Sequence, residues 1–253
     1  MQQARQPALR PGDAAPAFSL PAANAQGPVS LATLRGRPFL IGFYRGLHCP
    51  FCRRQLLQLA GVQPALWRLG VKTIAVINTP AERARMYFRY RPTQVMLLCD
   101  PECLSHHAFG VPHAQFVPDD GGGGPPEWPH RTSLARFEAA RINPGGELPA
   151  AMHPMQANAV LNAKDGFQPD GVDQAIFEQH GTQLVGHFMV DAAGIVGWAR
   201  IEAPESPDEL CSFPDAAQLV AAAGCLAARA GEPPTVKQAP STLNTQSIDE
   251  KEP

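Results

Sequence analysis

The sequence predicts an α/β fold in which helices flank a central mixed β-sheet, with a long insertion before a late hairpin. Three observations point there. Apolar strand-like runs alternate with helix-like stretches through the first 110 residues. The first core run, residues 38–44 (PFLIGFY), is apolar on both faces, which suits a strand covered on both sides of a parallel sheet. Residues 187–191 and 195–201, joined by a turn at 192–194, carry a hairpin signature that adds antiparallel strands.

The elements follow in order. Residues 1–11 are polar and Pro-containing and are expected to form a flexible arm before a domain over 12–230. After the 38–44 strand, residues 49–69 read as a helix with Leu56, Leu59, Ala60 and Leu66 near one face. Pro64 removes a donor and is expected to kink it. Residues 71–78 (VKTIAVIN) are the next buried strand. Thr79-Pro80-Ala81-Glu82 has the form of a capping box with proline at the first helical position, opening a helix towards Arg91. Residues 95–99 are a third strand, and Asp100-Pro101-Glu102 opens a helix closed by Gly110 and Pro112.

The alternation breaks over residues 111–180. Gly121–Gly124 followed by Pro125-Pro126 marks a mobile loop, and helical pieces are expected at 133–141 and 173–179. After the hairpin, residues 214–229 form an Ala-rich helix. Residues 231–253 are polar and Pro-rich and are expected to be a disordered tail. There is no internal repeat.

Composition narrows the function classes. The chain has 253 residues, 44% of them hydrophobic, enough for a full core. A net charge of -2 gives no global basic field, so neither nucleic acid nor an acidic membrane surface is an expected partner. The first residues hold no apolar signal-peptide core, and no stretch approaches the roughly 20 apolar residues of a membrane span. The expected location is cytoplasmic. In that reducing compartment the six cysteines are read as reduced, buried or redox-active, not as a disulfide framework.

The chemistry concentrates at Cys49-Pro50-Phe51-Cys52. It lies between a buried strand and the start of a helix, with Pro50 in the first turn where its missing N–H costs little. Cys49 then falls near the N-cap, its sulfur facing unpaired amides of Phe51 and Cys52, and the positive end of the helix dipole favours thiolate. Arg45, Arg53 and Arg54 are close in sequence and add positive potential. Such surroundings lower a thiol pKa and activate it. A spacing of three lets the two sulfurs meet as a disulfide, so attack and resolution fit within four residues. A zinc site combining this pair with Cys99 and Cys103 is the structural alternative, as is a pair of inert buried thiols.

Several motifs resemble a known family. Gly12-Asp13, Ala15-Pro16, Phe18 and Leu20-Pro21 are similar to the opening of the peroxiredoxin-like proteins, the alkyl hydroperoxide reductase/thiol-specific antioxidant group of the thioredoxin superfamily. Leu34-Arg35-Gly36-Arg37-Pro38 resembles their approach to the first core strand. Phe43-Tyr44-Arg45-Gly46 followed by Cys49-Pro50-Phe51-Cys52 resembles a subgroup carrying C-P-x-C. Thr79-Pro80, Asp100-Pro101, Phe109-Gly110-Val111 and the late hairpin fall in family order, so the likeness covers residues 12–111 and 181–229.

The resemblance implies a thioredoxin-like fold and an antioxidant thiol peroxidase or thiol–disulfide oxidoreductase with a redox-active disulfide. In the family motif P-x-x-x-T-x-x-C, Cys52 takes the peroxidatic place, Arg45 stands for the proline and Cys49 for the threonine. Cys49 can then serve as the resolving partner. Val185 stands where the family places an arginine before the late strand, and the thioredoxin cis-proline is missing there as well.

The expected site is therefore Cys49 and Cys52, with Arg45 stabilising a thiolate or a peroxide oxyanion and His48 acting as a base or, when charged, stabilising the thiolate. The expected substrate is a peroxide or disulfide, and the reductant an external thiol of thioredoxin-like or glutathione type. No cofactor and no metal are expected, since the histidines fit no compact ligand set. The oligomeric state is open, a homodimer included. Cys103, in a first helical turn, and Cys99 are candidates for a second resolving thiol, while Cys211 and Cys225 are read as structural. The alternative function is a non-catalytic binding module on the same scaffold.

Overall fold

A computed structural model describes residues 7–119 and 127–230. The Gly121–Gly124 loop, the 231–253 tail and residues 1–6 of the arm lie outside the described residues.

A small antiparallel pair opens the domain: β1 (Ser19–Pro21) and β2 (Pro28–Ser30), followed by the one-turn helix α1 (Leu31–Leu34). The core strand β3 (Phe39–Tyr44) is buried at every position, as its two-faced apolar run requires. It feeds helix α2 (Pro50–Arg68), then β4 (Lys72–Ile77), α3 (Ala81–Phe88), β5 (Met96–Cys99) and α4 (Leu104–Ala108). The insertion contributes the short parallel pair β6 (Phe116–Val117) and β7 (Thr132–Ser133), then α5 (Leu134–Ala139), α6 (Pro154–Lys164) and α7 (Gly171–His180). The hairpin β8 (Gly186–Val190) and β9 (Val196–Ile201) and the helix α8 (Ala216–Ala230) complete the chain.

The main sheet has the order β5-β4-β3-β8-β9. β3 and β4 are parallel from Phe39↔Lys72 to Tyr44↔Ile77, and β4 continues parallel to β5. β8 turns antiparallel to β3, with Phe43 opposite Gly186 and Phe39 opposite Val190, and β9 is antiparallel to β8. The sheet is mixed and helix-flanked, the thioredoxin-like arrangement that the sequence predicts. β3 is central, so the loop at its carboxyl end opens into the crevice where α/β sheets bind ligands.

The faces of β3 pack differently. Phe43 meets Phe109 and Phe188 with ring centroids 4.6 and 5.8 Å apart, an aromatic core on one side. Tyr44 turns to the other side, its hydroxyl 2.8 Å from His187 Nε2. Residues 7–11, within the expected arm, run against the domain: the Leu9 N–H donates to Phe109 O at 3.3 Å and the Gly12 N–H to Val196 O at 2.8 Å. Gly110, at φ 71°, lies so close to Pro7 and Ala8 that a side chain there would collide with their backbone.

Local expectations differ at two helix starts. The capping box at Thr79–Glu82 does not form. Pro80 takes the N-cap and no side chain caps α3, because Thr79 Oγ1 accepts the buried Leu47 N–H at 3.2 Å. Cys103 is not inside the first turn of α4; it precedes it in left-handed conformation, φ 55°. The Asp100 carboxylate caps that helix, accepting the Leu104 and Ser105 N–H groups at 3.2 and 2.7 Å. Helix α2 runs on through Pro64. Helix α6 has no counterpart in the sequence reading; His153 caps it and Pro154 occupies its first turn.

No helix among the described residues is long and apolar enough to cross a membrane.

Candidate active site

The tight loop 45–49 joins β3 to α2. Its Cys49 N–H donates to Gly46 O at 3.0 Å, and a side chain at Gly46 would run into Asn78 Oδ1 and His48 Nδ1. Cys49 is the N-cap of α2 with extended backbone, φ −86° and ψ 106°, and Pro50 is in the first turn. Its Sγ accepts the Cys52 N–H at 3.2 Å. The sequence expectation of a sulfur facing the free helix amides is met at Cys52.

The two thiols are inequivalent. Burial alone would push Cys49 up, but hydrogen bonding from the Cys52 thiol, the Arg45 charge and the Cys52 N–H bring it down to about 6. Cys52 is held well above an ordinary thiol by burial and by the neighbouring Cys49. Cys49 is thus the thiolate and Cys52 the proton-bearing partner, the reverse of the order the family motif implies.

Arg45 is buried. Its Nη1 donates to Gln183 O at 3.1 Å, and its Nη2 to Glu202 Oε1 at 2.8 Å and Cys211 Sγ at 3.4 Å. Glu202 Oε2 in turn accepts the Val185 N–H at 2.8 Å. At the place where the family pattern puts an arginine, Val185 is fully buried. The guanidinium beside the cysteines comes from the end of β3 instead.

Arg53 and Arg54 are not among the groups that lower the Cys49 pKa, although the Arg53 charge is felt at His48. Arg53 donates to Leu47 O at 2.6 Å, Asn162 Oδ1 at 2.9 Å and Asp165 Oδ2 at 2.7 Å, and stacks 4.0 Å over the Phe167 ring. Arg54 pairs with Glu147 and Asp165. Their charges tie the insertion to α2. Asn162 adds to the clamp by donating to His48 O at 3.2 Å.

His48 is buried against Phe177, ring centroids 5.3 Å apart, and neither ring nitrogen has a hydrogen-bond partner. Burial, with Arg45 and Arg53 nearby, lowers its pKa to about 3. The expectation of a charged imidazole stabilising the thiolate therefore fails, because desolvation and two guanidinium groups oppose the proton. His48 and Arg45 line a cavity of about 320 Å³ whose walls are largely the insertion's aromatic residues Phe116, Trp128, Phe137 and Phe177.

The other cysteines sort clearly. Burial raises Cys99 to about 11 and Cys103 to about 12, so neither of these candidates for a second resolving thiol is activated. Among the described residues no group of three or more His, Cys, Asp or Glu side chains is gathered as a metal ion would need. Cys225 is exposed, and Cys211 is half-buried beside Arg45. Sequence reasoning missed Glu202, Asp165, Asn162 and the placement of Cys211; only Glu202, an acid at the end of an apolar strand, carried any local signal.

The model of the AhpC/TSA family matches residues 11–134. Over this segment the chain is similar to the AhpC/TSA family. Two curated proteins of Mycobacterium tuberculosis, from strains CDC 1551/Oshkosh and ATCC 25618/H37Rv, both given provisional peroxiredoxin names, are 31% identical over 103 residues. That match covers 41% of this chain and 65% of theirs, so it spans less than two thirds of the relatives' length. Among solved structures, the reduced 2-Cys peroxiredoxin of Plasmodium vivax aligns with a TM-score of 0.52 at 12% identity, over 87% of this chain and 98% of that one. The peroxidoxin BcpB of Mycobacterium tuberculosis aligns with a TM-score of 0.50 at 15% identity, over 89% and 99%. These likenesses show a shared fold. Of the cavity's aromatic residues, Phe116 and Trp128 fall inside the segment that the family model matches, and Phe137 and Phe177 outside it.

Proposed function

We propose that the protein is a thiol-dependent antioxidant oxidoreductase that reduces a peroxide, with Cys49 as the attacking thiolate and Cys52 as the resolving thiol. One observation carries this reading. A single buried N-cap sulfur accepts the Cys52 N–H, lies in the field of Arg45, and has a pKa lowered to about 6 beside a partner thiol that keeps its proton. Thiolate is the reactive form, so Cys49 is charged at neutral pH without any external base.

The chemistry balances in two steps. Cys49 Sγ⁻ attacks the terminal oxygen of R–O–O–H; the O–O bond breaks, and the departing alkoxide takes a proton to leave as R–OH. Arg45 is placed to stabilise the thiolate and the charge that develops on the departing oxygen. The Cys52 thiol then attacks the Cys49 sulfenic acid, the S–O bond breaks, water leaves, and a Cys49–Cys52 disulfide forms. An external thiol reductant of thioredoxin-like or glutathione type supplies the two electrons that restore the pair. The cavity over Arg45 and His48 offers the route for substrate. His48 serves there as a neutral hydrogen-bonding group.

A second reading is thiol–disulfide exchange at the same pair. It is favoured by the position of the activated thiol, the first cysteine of C-x-x-C, where the family motif would have a threonine.

Stopped-flow mixing of the reduced protein with hydrogen peroxide, followed by mass analysis of each cysteine, tests the proposal. The expected result is rapid oxidation that depends on Cys49 and ends in a Cys49–Cys52 disulfide. Unchanged peroxide and disulfide reduction in both Cys49→Ser and Cys52→Ser would remove it and leave a binding module on this scaffold.

A further inference from the structure

Resting on the Cys49/Cys52 reading, we propose that Cys211 is a third redox thiol, a relay that passes reducing equivalents from the cavity to the buried Cys49–Cys52 disulfide.

The first argument is access. Cys49 and Cys52 are each only 1% exposed and neither lines the cavity, so an external dithiol entering there meets Cys211 before either of them. Cys211 is half-buried and lines the cavity together with Arg45, His48, Thr182 and Leu210. The cavity also presents His48, 6% exposed, with neither ring nitrogen partnered. Buried hydrogen-bonding groups left unmade in this way carry a desolvation cost. An entering polar group relieves that cost, so the cavity is built to be entered.

The second argument is placement. Arg45 Nη2 donates to Cys211 Sγ at 3.4 Å, and the same guanidinium stabilises the Cys49 thiolate. One cation thus bridges the two sulfurs. The loop carrying Cys211 is fastened over the start of α2, where Gln55 Nε2 donates to Pro214 O at 3.0 Å. Cys211 itself has φ 64°, a left-handed conformation that is unfavourable for a residue with a side chain. Its N–H is held by Glu202 Oε1, which also holds Arg45. A strained cysteine locked to the carboxylate that fixes the catalytic arginine is positioned, not merely packed.

The third argument is timing. In the reduced protein burial, Glu202 and the Cys49 thiolate hold the proton on Cys211, against Arg45. Oxidation of Cys49 removes one of the charges that hold that proton, which shifts the balance at Cys211 towards Arg45 while burial and Glu202 remain. The relay thiol gains reactivity when the pair it serves is oxidised.

The exchange balances. Cys211 Sγ⁻ attacks Cys49 Sγ; the Cys211–Cys49 bond forms, the Cys49–Cys52 bond breaks, and Cys52 takes up the proton that Cys211 gave. A thiolate of an external dithiol then attacks Cys211 Sγ from the cavity and expels Cys49 as thiolate, a good leaving group because its pKa is low. The second thiol of the dithiol attacks its own sulfur in the mixed disulfide, Cys211 leaves, and the dithiol departs oxidised by two electrons.

The test is the rate at which dithiothreitol reduces the peroxide-oxidised protein, with each disulfide identified by mass. Cys211→Ser is expected to be reduced at least tenfold more slowly than the native protein, while the exposed Cys225→Ser is reduced at the native rate. In Cys52→Ser, one equivalent of hydrogen peroxide is expected to give a Cys49–Cys211 disulfide. A native reduction rate in Cys211→Ser, or a lasting Cys49 sulfenic acid beside a free Cys211 in Cys52→Ser, overturns the relay while leaving the Cys49/Cys52 pair standing. If the native protein forms no Cys49–Cys52 disulfide at all, the pair itself has failed and the relay falls with it.

Discussion

Arg45 at the end of β3 and Glu202 just beyond β9 form a buried ion pair, Nη2 to Oε1 2.8 Å, with the carboxylate fully enclosed. The pair joins the central strand to the hairpin and sets a cation beside three cysteines. Removing one partner strands the other. Arg45→Met is expected to lower stability by about 3–5 kcal/mol, since an uncompensated buried charge is the costly outcome. Urea denaturation of the reduced protein measures this, and a loss under 1 kcal/mol contradicts the ion pair.

Glu202→Gln should act in the opposite direction on the thiols. Glu202 raises the pKa of both Cys52 and Cys211, so neutralising it lowers both. Cysteine-resolved alkylation at pH 7 is expected to show Cys211 reacting several-fold faster than in the native protein.

The Cys49 thiolate predicts its own titration. Alkylation of Cys49 should rise to half its maximum near pH 6, against an ordinary thiol value of 9.0. Cys52→Ala removes the first of the groups that lower it, and the midpoint should move towards alkaline pH. An unchanged midpoint would show that the Cys52 thiol does not stabilise the sulfur.

Well below the ordinary thiol value of 9.0, where the buried thiols with raised pKa stay protonated folded or unfolded, stability should rise with pH for two reasons of the same sign. The folded pKa of Cys49 is below its unfolded value, so its contribution is complete above about 9 and is lost as pH falls to about 6. His48 and His187 are held neutral, with folded values of about 3 against 6.5 unfolded. The unfolded chain binds their protons first, so stability falls again from about pH 6.5 down to 3. Thermal midpoints across this range check both limbs, and His187→Gln should flatten the acidic one.

The insertion is fastened by charge. Asp165 accepts from Arg53 at 2.7 Å and from Arg54 at 2.6 and 2.9 Å. Asp165→Asn should cost about 1.5–3 kcal/mol, the range for hydrogen bonds to charged groups. Hydrogen exchange should show α6 losing protection before β3, while equal loss in both would deny the clamp a local role.

The sequence by itself determined the alternation of strands and helices and the place of the cysteine pair. These follow from local rules: a two-faced apolar run such as 38–44 must be a covered strand, and Cys49-Pro50 must begin the helix after it. It also marked Arg45 by proximity. Tertiary structure decided which groups charge the site. Arg53 and Arg54 are as near in sequence as Arg45, yet Asp165 and Glu147, more than ninety residues on, draw their charges into the insertion. Glu202, 157 residues from Arg45, fixes the cation, and Cys211, 166 residues away, shares it. His48 reads as a titrating base in a loop and becomes a neutral ring once Phe177 covers it. Solvation and Coulomb energies depend on distance through space, and no local pattern records which distant side chain the sheet will bring to the end of its central strand.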